Sequence, residues 1–177
     1  MRRVAVVGTS CSGKTTLARR IAALYGIPHI ELDAIYWGPN WKPSDIDEFR
    51  NAVEIETAND SWVVDGNYSK VRDIVWGRAT HLIWLNYPFA TVFCRAIVRT
   101  VRRVFGREEL FSGNRETLRL AFFDTDSILW WVIRTHHRRR RGYRKLIDDG
   151  HFPHLRVIEI QKPSDMEQVI LRICEDV

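Results

Sequence analysis

The chain has 177 residues, 45% of them hydrophobic and 28% charged, enough for one domain spanning 1–177 with a sizeable core and no need of disulfide or metal staples. Its three cysteines, Cys11, Cys94 and Cys174, are odd in number and far apart, which excludes a disulfide framework or a CxxC metal knuckle and points to a cytoplasmic protein; no run approaches the roughly 20 apolar residues of a membrane span, and the first apolar run is too short for a secretory signal. Of the 27 lysines and arginines behind the net charge of +5, five lie in residues 95–107 and seven in residues 134–145, neither stretch holding an acid, so the remainder has 15 bases against 22 acids: a focused anion site is expected, not a basic coat.

The valine-rich run Arg2 to Val7 predicts a strand, and it breaks into Gly8-Thr9-Ser10-Cys11-Ser12-Gly13-Lys14-Thr15-Thr16. This fits the phosphate-cradling pattern G-x-x-x-x-G-K-[ST] at every fixed position. Gly8 and Gly13 permit backbone angles that let successive N–H groups of Ser10, Cys11, Ser12, Gly13 and the following Thr16 turn towards an anion, and the helix dipole that begins here points the same way. Lys14 can reach the β- and γ-phosphates, and the Thr15 hydroxyl suits a Mg²⁺ that prefers oxygen ligands. Leu17, Ile21 and Leu24 follow at helical spacing until Gly26-Ile27-Pro28 stops the helix.

Further apolar runs, Ile27 to Leu32, Trp62 to Val64, His81 to Leu85 and Leu155 to Ile160, alternate with helical stretches. Nearly continuous apolar strands of this kind predict an α/β fold, a five-stranded parallel sheet covered by helices on both faces. Ligands then gather beyond the carboxyl ends of the strands. Strand alternation would set Glu31 and Asp33 on one side at that end, making Asp33 the first candidate to orient or deprotonate an acceptor group; a carboxylate capping the next helix is the alternative. Residues 34–60 are long enough to leave the sheet and build an acceptor-binding insert. Trp37 or Trp41 would stack on a planar acceptor or pack the insert, and Ser44 would cap its helix.

Asp65, at the end of the third run, stands where a Walker B carboxylate would hold Mg²⁺, and Arg72 in the next segment would reach an acceptor phosphate or pair with a surface acid. After Pro88 a helix is expected with Arg95, Arg99 and Arg102 on one side and Phe93, Ile97, Val101 and Val104 packing on the other. Residues from about 106 to 125 have weak periodicity, no cysteine to hold zinc, and arginine-bearing helices on either side, the arrangement of a lid segment. A second helix then carries Arg134, Arg138, Arg141 and Lys145 as a stripe, with Arg139 and Arg140 pointing elsewhere. Gln161 to Ser164, after the last strand, would border an adenine or simply start the terminal helix.

With these pieces in register, the P-loop, Leu32-Asp33 with Tyr36-Trp37 and Trp41, Trp62 to Tyr68, and the two arginine helices, the chain resembles nucleoside-monophosphate-kinase-like P-loop proteins over nearly its full length. It is most similar to the adenylate-kinase-related group often named DNA topology modulation proteins. The resemblance implies a P-loop NTPase three-layer sandwich with strand order 2-3-1-4-5, ATP with Mg²⁺, and a helical lid whose arginines close over the phosphates. It also implies that Asp65-Gly66-Asn67-Tyr68 borders the acceptor, with Asn67 among the contacts. Where adenylate kinases read Thr-Gly-Asp after strand two, this chain reads Glu31-Leu32-Asp33, more similar to kinases of small hydroxylated acids.

The expected activity is γ-phosphoryl transfer from MgATP to a nucleotide or small-molecule acceptor: Lys14 on the β,γ-phosphates, Thr15 and Asp65 on the metal, Arg134, Arg138 or Arg141 on the developing charge, and Asp33, Trp37, Asn67 and Arg72 around the acceptor. Two alternatives remain open, a nucleic-acid-associated ATPase using the basic stripes and a regulatory nucleotide binder with little turnover. No known nucleic-acid motif supports the first.

Overall fold

The computed structural model describes residues 2–106 and 128–175. Five strands, β1 (Arg3–Gly8), β2 (His29–Glu31), β3 (Trp62–Asp65), β4 (His81–Leu85) and β5 (Arg156–Ile160), form one sheet in the order β2-β3-β1-β4-β5. Every pairing is parallel, with Val4 of β1 opposite Val63 on one side and His81 on the other. This is the α/β architecture and strand order expected above.

Alternation along β1 feeds two separate cores. Val4 and Val6 pack with Leu17 and Ile21 of α1 (Lys14–Tyr25), Val92 and Ala96 of α5 (Phe89–Gly106), Val132 of α6 (Ile128–Asp148) and Ile170 of α7 (Met166–Glu175). Ala5 and Val7 pack on the opposite face with Phe49 and Val53 of α3 (Ile46–Glu56), Val75 and Trp76 of α4 (Arg72–Arg78), and Tyr143, again of α6. Helix α6 therefore contributes to both cores, crossing the carboxyl edge of the sheet between them.

Local details depart from the sequence reading in four places. Strand β2 ends at Glu31 and Leu32 opens a short helix, α2 (Leu32–Tyr36), so Asp33 sits in a first helical turn and not on an extended strand. Asp45, not Ser44, caps α3 by accepting from the amides of Asp47 and Glu48, while the Ser44 hydroxyl donates to the carbonyls of Ile35 and Tyr36. Helix α1 buries Leu17, Ala18 and Ile21 and leaves Leu24 56% exposed, because a 100° stripe through 17, 18 and 21 continues to Tyr25.

The fourth departure is in α5. Its buried stripe is Val92, Ala96 and Thr100; of the side expected to pack, Phe93 does lie against the core, Ile97 and Val101 are exposed, and the Val104 side chain is outside the described residues. The small residues face inward because the phosphate loop approaches here, and Arg95 and Arg99 turn with them. The lid segment expected at about 106–125 lies, past Gly106, outside the described residues. No helix among the described residues is long and apolar enough to cross a membrane.

Candidate functional site

The glycine-rich loop sits between β1 and α1 with the backbone its pattern requires. Gly8 and Gly13 have φ of 153° and 95°, and Cys11 itself adopts a left-handed φ of 63°. A Cβ on Gly8 would lie 2.8 Å from the Leu85 carbonyl and from Ser12 Oγ. Helix α1 starts at Lys14 with no side-chain cap, so its first amides are available to an anion. Ser10 is half-buried and Thr16 exposed at the rim, while Ser12 is fully buried.

Lys14 folds over its own loop, Nζ donating to the Thr9 carbonyl at 3.2 Å. Burial pulls its pKa below the ordinary lysine value, with Asp33 and Asp65 opposing that pull. At the next residue, the Thr15 hydroxyl donates to Asp65 Oδ2 at 2.6 Å and lies 3.4 Å from Glu31 Oε1. The other Asp65 oxygen is held by His29 Nε2 at 2.8 Å. Burial, then the neighbouring Asp65, raise the Glu31 pKa. The set of Thr15 hydroxyl and Asp65 and Glu31 carboxylates is all oxygen, the chemistry that Mg²⁺ prefers when most of its remaining ligands are phosphate and water. Among the described residues no three His, Cys, Asp or Glu side chains form a cage of their own.

Asp33 faces the same cleft. Its Oδ1 accepts from the Tyr68 hydroxyl at 2.6 Å, and Tyr68 packs on Tyr36 and Phe49, ring centroids 4.7 and 5.2 Å apart. Burial and the Asp33 carboxylate hold the Tyr68 phenol far above its ordinary pKa, so it stays a donor. Trp37 meets Tyr36 edge-on at 4.9 Å and Trp41 at 5.9 Å, so these aromatics form one wall. Arg72 lines a pocket with Tyr68 and Asn67, its guanidinium 5.3 Å over the Trp76 ring.

Asn67 clamps the loop. Its Nδ2 donates to the Gly8 carbonyl at 2.5 Å while its Oδ1 accepts from the Gly8 amide at 3.2 Å and from the Tyr143 hydroxyl at 2.8 Å. Both ends of the amide are thus engaged within the protein, which adds a loop-clamping role to the acceptor contact expected of it.

The arginines divide in an unexpected way. Arg95 Nη1 donates to the Ser12 carbonyl at 2.9 Å and Arg99 Nη1 reaches Cys11 Sγ at 3.7 Å, so this pair faces the loop. Of the α6 stripe, Arg134, Arg138 and Arg141 are exposed; Arg134 lies over Trp130, and among the described residues Arg141 bonds only its own helix, at His137. The inward arginine is Arg139, half-buried. Burial lowers its pKa, Tyr143, Asp33 and Tyr68 raise it, and it in turn depresses that of Lys14. The reading that Arg139 points elsewhere is therefore corrected. Val132, His136, Arg139 and Tyr143 recur at spacings of four, three and four, a buried-side pattern hidden under the more conspicuous arginine stripe. Tyr143 and His29 are further site neighbours that the sequence reading left out, and Tyr68, expected only as part of the Asp65–Tyr68 segment, is the partner of Asp33; the Gln161 to Ser164 loop leads into α7 through a short turn at Pro163–Asp165.

No family model matches the chain. It is 21% identical over 183 residues to a cytidylate kinase of Thermosipho africanus (strain TCF52B), covering 98% of this chain and 78% of that protein. A cytidylate kinase of Xanthobacter autotrophicus (strain ATCC BAA-1158 / Py2) shares 52% identity over 33 residues, only 19% of this chain and 16% of that one. Among solved structures, a shikimate kinase from Bacteroides thetaiotaomicron superposes with a TM-score of 0.59 at 15% identity, over 98% of this chain and 97% of that one. The shikimate kinase from Aquifex aeolicus vf5 gives 0.56 at 16%, over 99% and 94%. The fold is thus shared with P-loop kinases.

Proposed function

We propose that the chain, as a single domain, is a phosphotransferase of the nucleoside-monophosphate-kinase type that moves the γ-phosphoryl group of ATP to a nucleotide or a small hydroxylated acceptor. The observation that carries this reading is the convergence of three groups in one cleft: the Lys14 ammonium, the Thr15–Asp65 pair, and Asp33 held by Tyr68. Loop amides and Lys14 would grip the β- and γ-phosphates. Thr15 and Asp65, with Glu31 beside them, would hold Mg²⁺, whose charge offsets that of the phosphates when it is bound. Asp33 would orient the acceptor hydroxyl, and Arg139 would meet charge developing on the transferred group. The aromatic wall of residues 34–60 and Arg72 would flank the acceptor.

The relatives named cytidylate kinase support a nucleotide acceptor, and the shikimate kinase folds support a hydroxylated acid. An ATP-consumption assay over nucleoside monophosphates, nucleosides and small hydroxylated acids separates them. With the acceptor so found, Lys14→Ala is expected to cut turnover at least about 100-fold; full activity in that variant, or no ATP consumption with any acceptor, would reject the proposal.

A nucleic-acid role has one observation of its own, the exposed cations Arg134, Arg138, Arg140, Arg141 and Lys145 along α6. A filter-binding titration decides it: affinity that falls steeply with salt supports the role, and its absence removes it.

A further inference from the structure

The hydrogen-bond chain Tyr143–Asn67–Gly8 joins three elements that a nucleotide would need to meet together: helix α6, the loop after β3, and the first residue of the phosphate loop. Gly8 is a natural place for such control. Its amide and carbonyl are both bound by one Asn67 side chain, and its φ of 153° with Leu85 and Ser12 close by leaves it a narrow set of conformations. Tyr143 is 5% exposed, wedged against Trp76 and Trp84 at ring distances of 5.9 and 6.1 Å, so its hydroxyl cannot wander. One helical turn before it stands Arg139, on the same face. The Asn67 amide orientation is fixed by this pattern, since only an oxygen can accept from both Gly8 N–H and Tyr143 O–H.

We infer that Asn67 and Tyr143 are positioning residues that preorganise the phosphate loop for nucleotide and tie it to the helix bearing Arg139. The inference rests on the reading that this loop holds nucleotide phosphates. When one link is removed, the loop spends part of its time in forms that do not bind, and the dissociation constant rises by the inverse of the competent fraction. A net hydrogen bond of about 1 kcal/mol corresponds to about fivefold.

The test is isothermal titration of MgADP into the parent, Tyr143→Phe, Asn67→Asp and the double variant, each checked for an intact thermal transition. Tyr143→Phe deletes only the hydroxyl, and Asn67→Asp keeps an acceptor for Gly8 N–H and Tyr143 O–H while setting a second oxygen against the Gly8 carbonyl. Each single variant is expected to weaken MgADP binding about 5- to 30-fold, and the double variant by less than the product of the two, because both act along one chain. The KM for ATP should rise in parallel, with kcat at saturating ATP within about threefold of the parent. MgADP affinity unchanged in Tyr143→Phe, or an unchanged KM with a lowered kcat, overturns the inference while leaving the phosphate-loop reading standing. A parent that does not bind MgADP overturns both.

Discussion

Gly66→Ala is the perturbation whose cost can be worked most directly from the coordinates. Gly66 has φ of 149°, and an added Cβ would lie 2.7 Å from Leu32 Cβ, 2.9 Å from its Cδ1 and 3.0 Å from its Cγ. Leu32 is only 2% exposed and opens α2, so it cannot retreat without moving Asp33 beside it. Left-handed backbone at a non-glycine residue costs about 1–2 kcal/mol, and overpacking a buried site about 1–3 kcal/mol. Together these predict a loss of about 2–5 kcal/mol and, for a chain of this length, a melting temperature lower by about 5–15 °C. Gly142→Ala is the matched control, for Gly142 lies inside α6 with nothing within 4 Å of its added Cβ. There the helix gains about 0.5–1 kcal/mol, raising the melting temperature by about 1–3 °C. Circular dichroism melts of the two variants beside the parent decide the matter. A Gly66→Ala transition within 1 °C of the parent, by the same order-of-magnitude scale, would refute the clash with Leu32 and with it the tight coupling of the loop after β3 to α2.

Three further outcomes are expected. Arg139→Ala should lower turnover about 10³-fold or more if it meets the transferring phosphoryl group, while Arg138→Ala, exposed on the same helix, should stay within about fivefold; steady-state kinetics showing the reverse ranking would return the role to the outer stripe. Because burial lowers the Lys14 pKa, its ammonium begins to lose its proton at a pH below the ordinary lysine value of about 10.4, so MgADP affinity should weaken as pH rises towards that value and binding should take up protons, an effect that calorimetry in two buffers should find in the parent and not in Lys14→Met. Glu159, although burial alone would raise its pKa, is held below the ordinary value by hydrogen bonds from Asn86, Gln161 and Arg144. Its folded-state pKa is thus lower than its unfolded one, so its stabilisation is complete above the ordinary glutamate pKa of about 4.3 and is lost as pH falls through the folded value; the melting-temperature gap between parent and Glu159→Gln should shrink on acidification, and a gap that widens would contradict this.

What the sequence made legible was whatever had a fixed spacing. The phosphate loop, the five apolar runs and Asp65 at the end of β3 each follow from a local rule, and the strand order followed from the resemblance those pieces carry. Asp33 was reached by an argument that fails, strand alternation, although its place in the first turn of α2 still brings it to Tyr68. The faces of the arginine helices were not legible, because two stripes compete in each. In α5, Ile97 and Val101 are as well spaced as Val92, Ala96 and Thr100; burial chose the smaller set since the loop at Ser12 comes within hydrogen-bond reach of Arg95. Asn67 shows a different limit. Its residue type suits acceptor binding and backbone clamping equally, and only the proximity of Gly8 and Tyr143 in space reveals the clamp.

The position of Arg139 follows from packing more than from its own charge. Val132 belongs to the core on one face of the sheet and Tyr143 to the core on the other, and at 1.5 Å per residue they are about 16 Å apart along α6. Arg144 adds a tie beyond them, its Nη2 donating to both carboxylate oxygens of Glu159 of β5 at 2.9 Å. A helix fixed at both ends leaves its middle over the carboxyl edge of the sheet, where a residue on the Val132–Tyr143 face must look towards the loop. Charge on that face is costly to bury unless something meets it; Asp33 and the Trp131 ring, 5.5 Å from the guanidinium, do so in part, and a phosphate held by Lys14 would do so more fully. Truncating Arg139 should therefore spare the fold while impairing transfer, whereas removing the Val132 side chain or the whole Tyr143 ring, which Tyr143→Phe keeps, should displace the arginine without touching its charge.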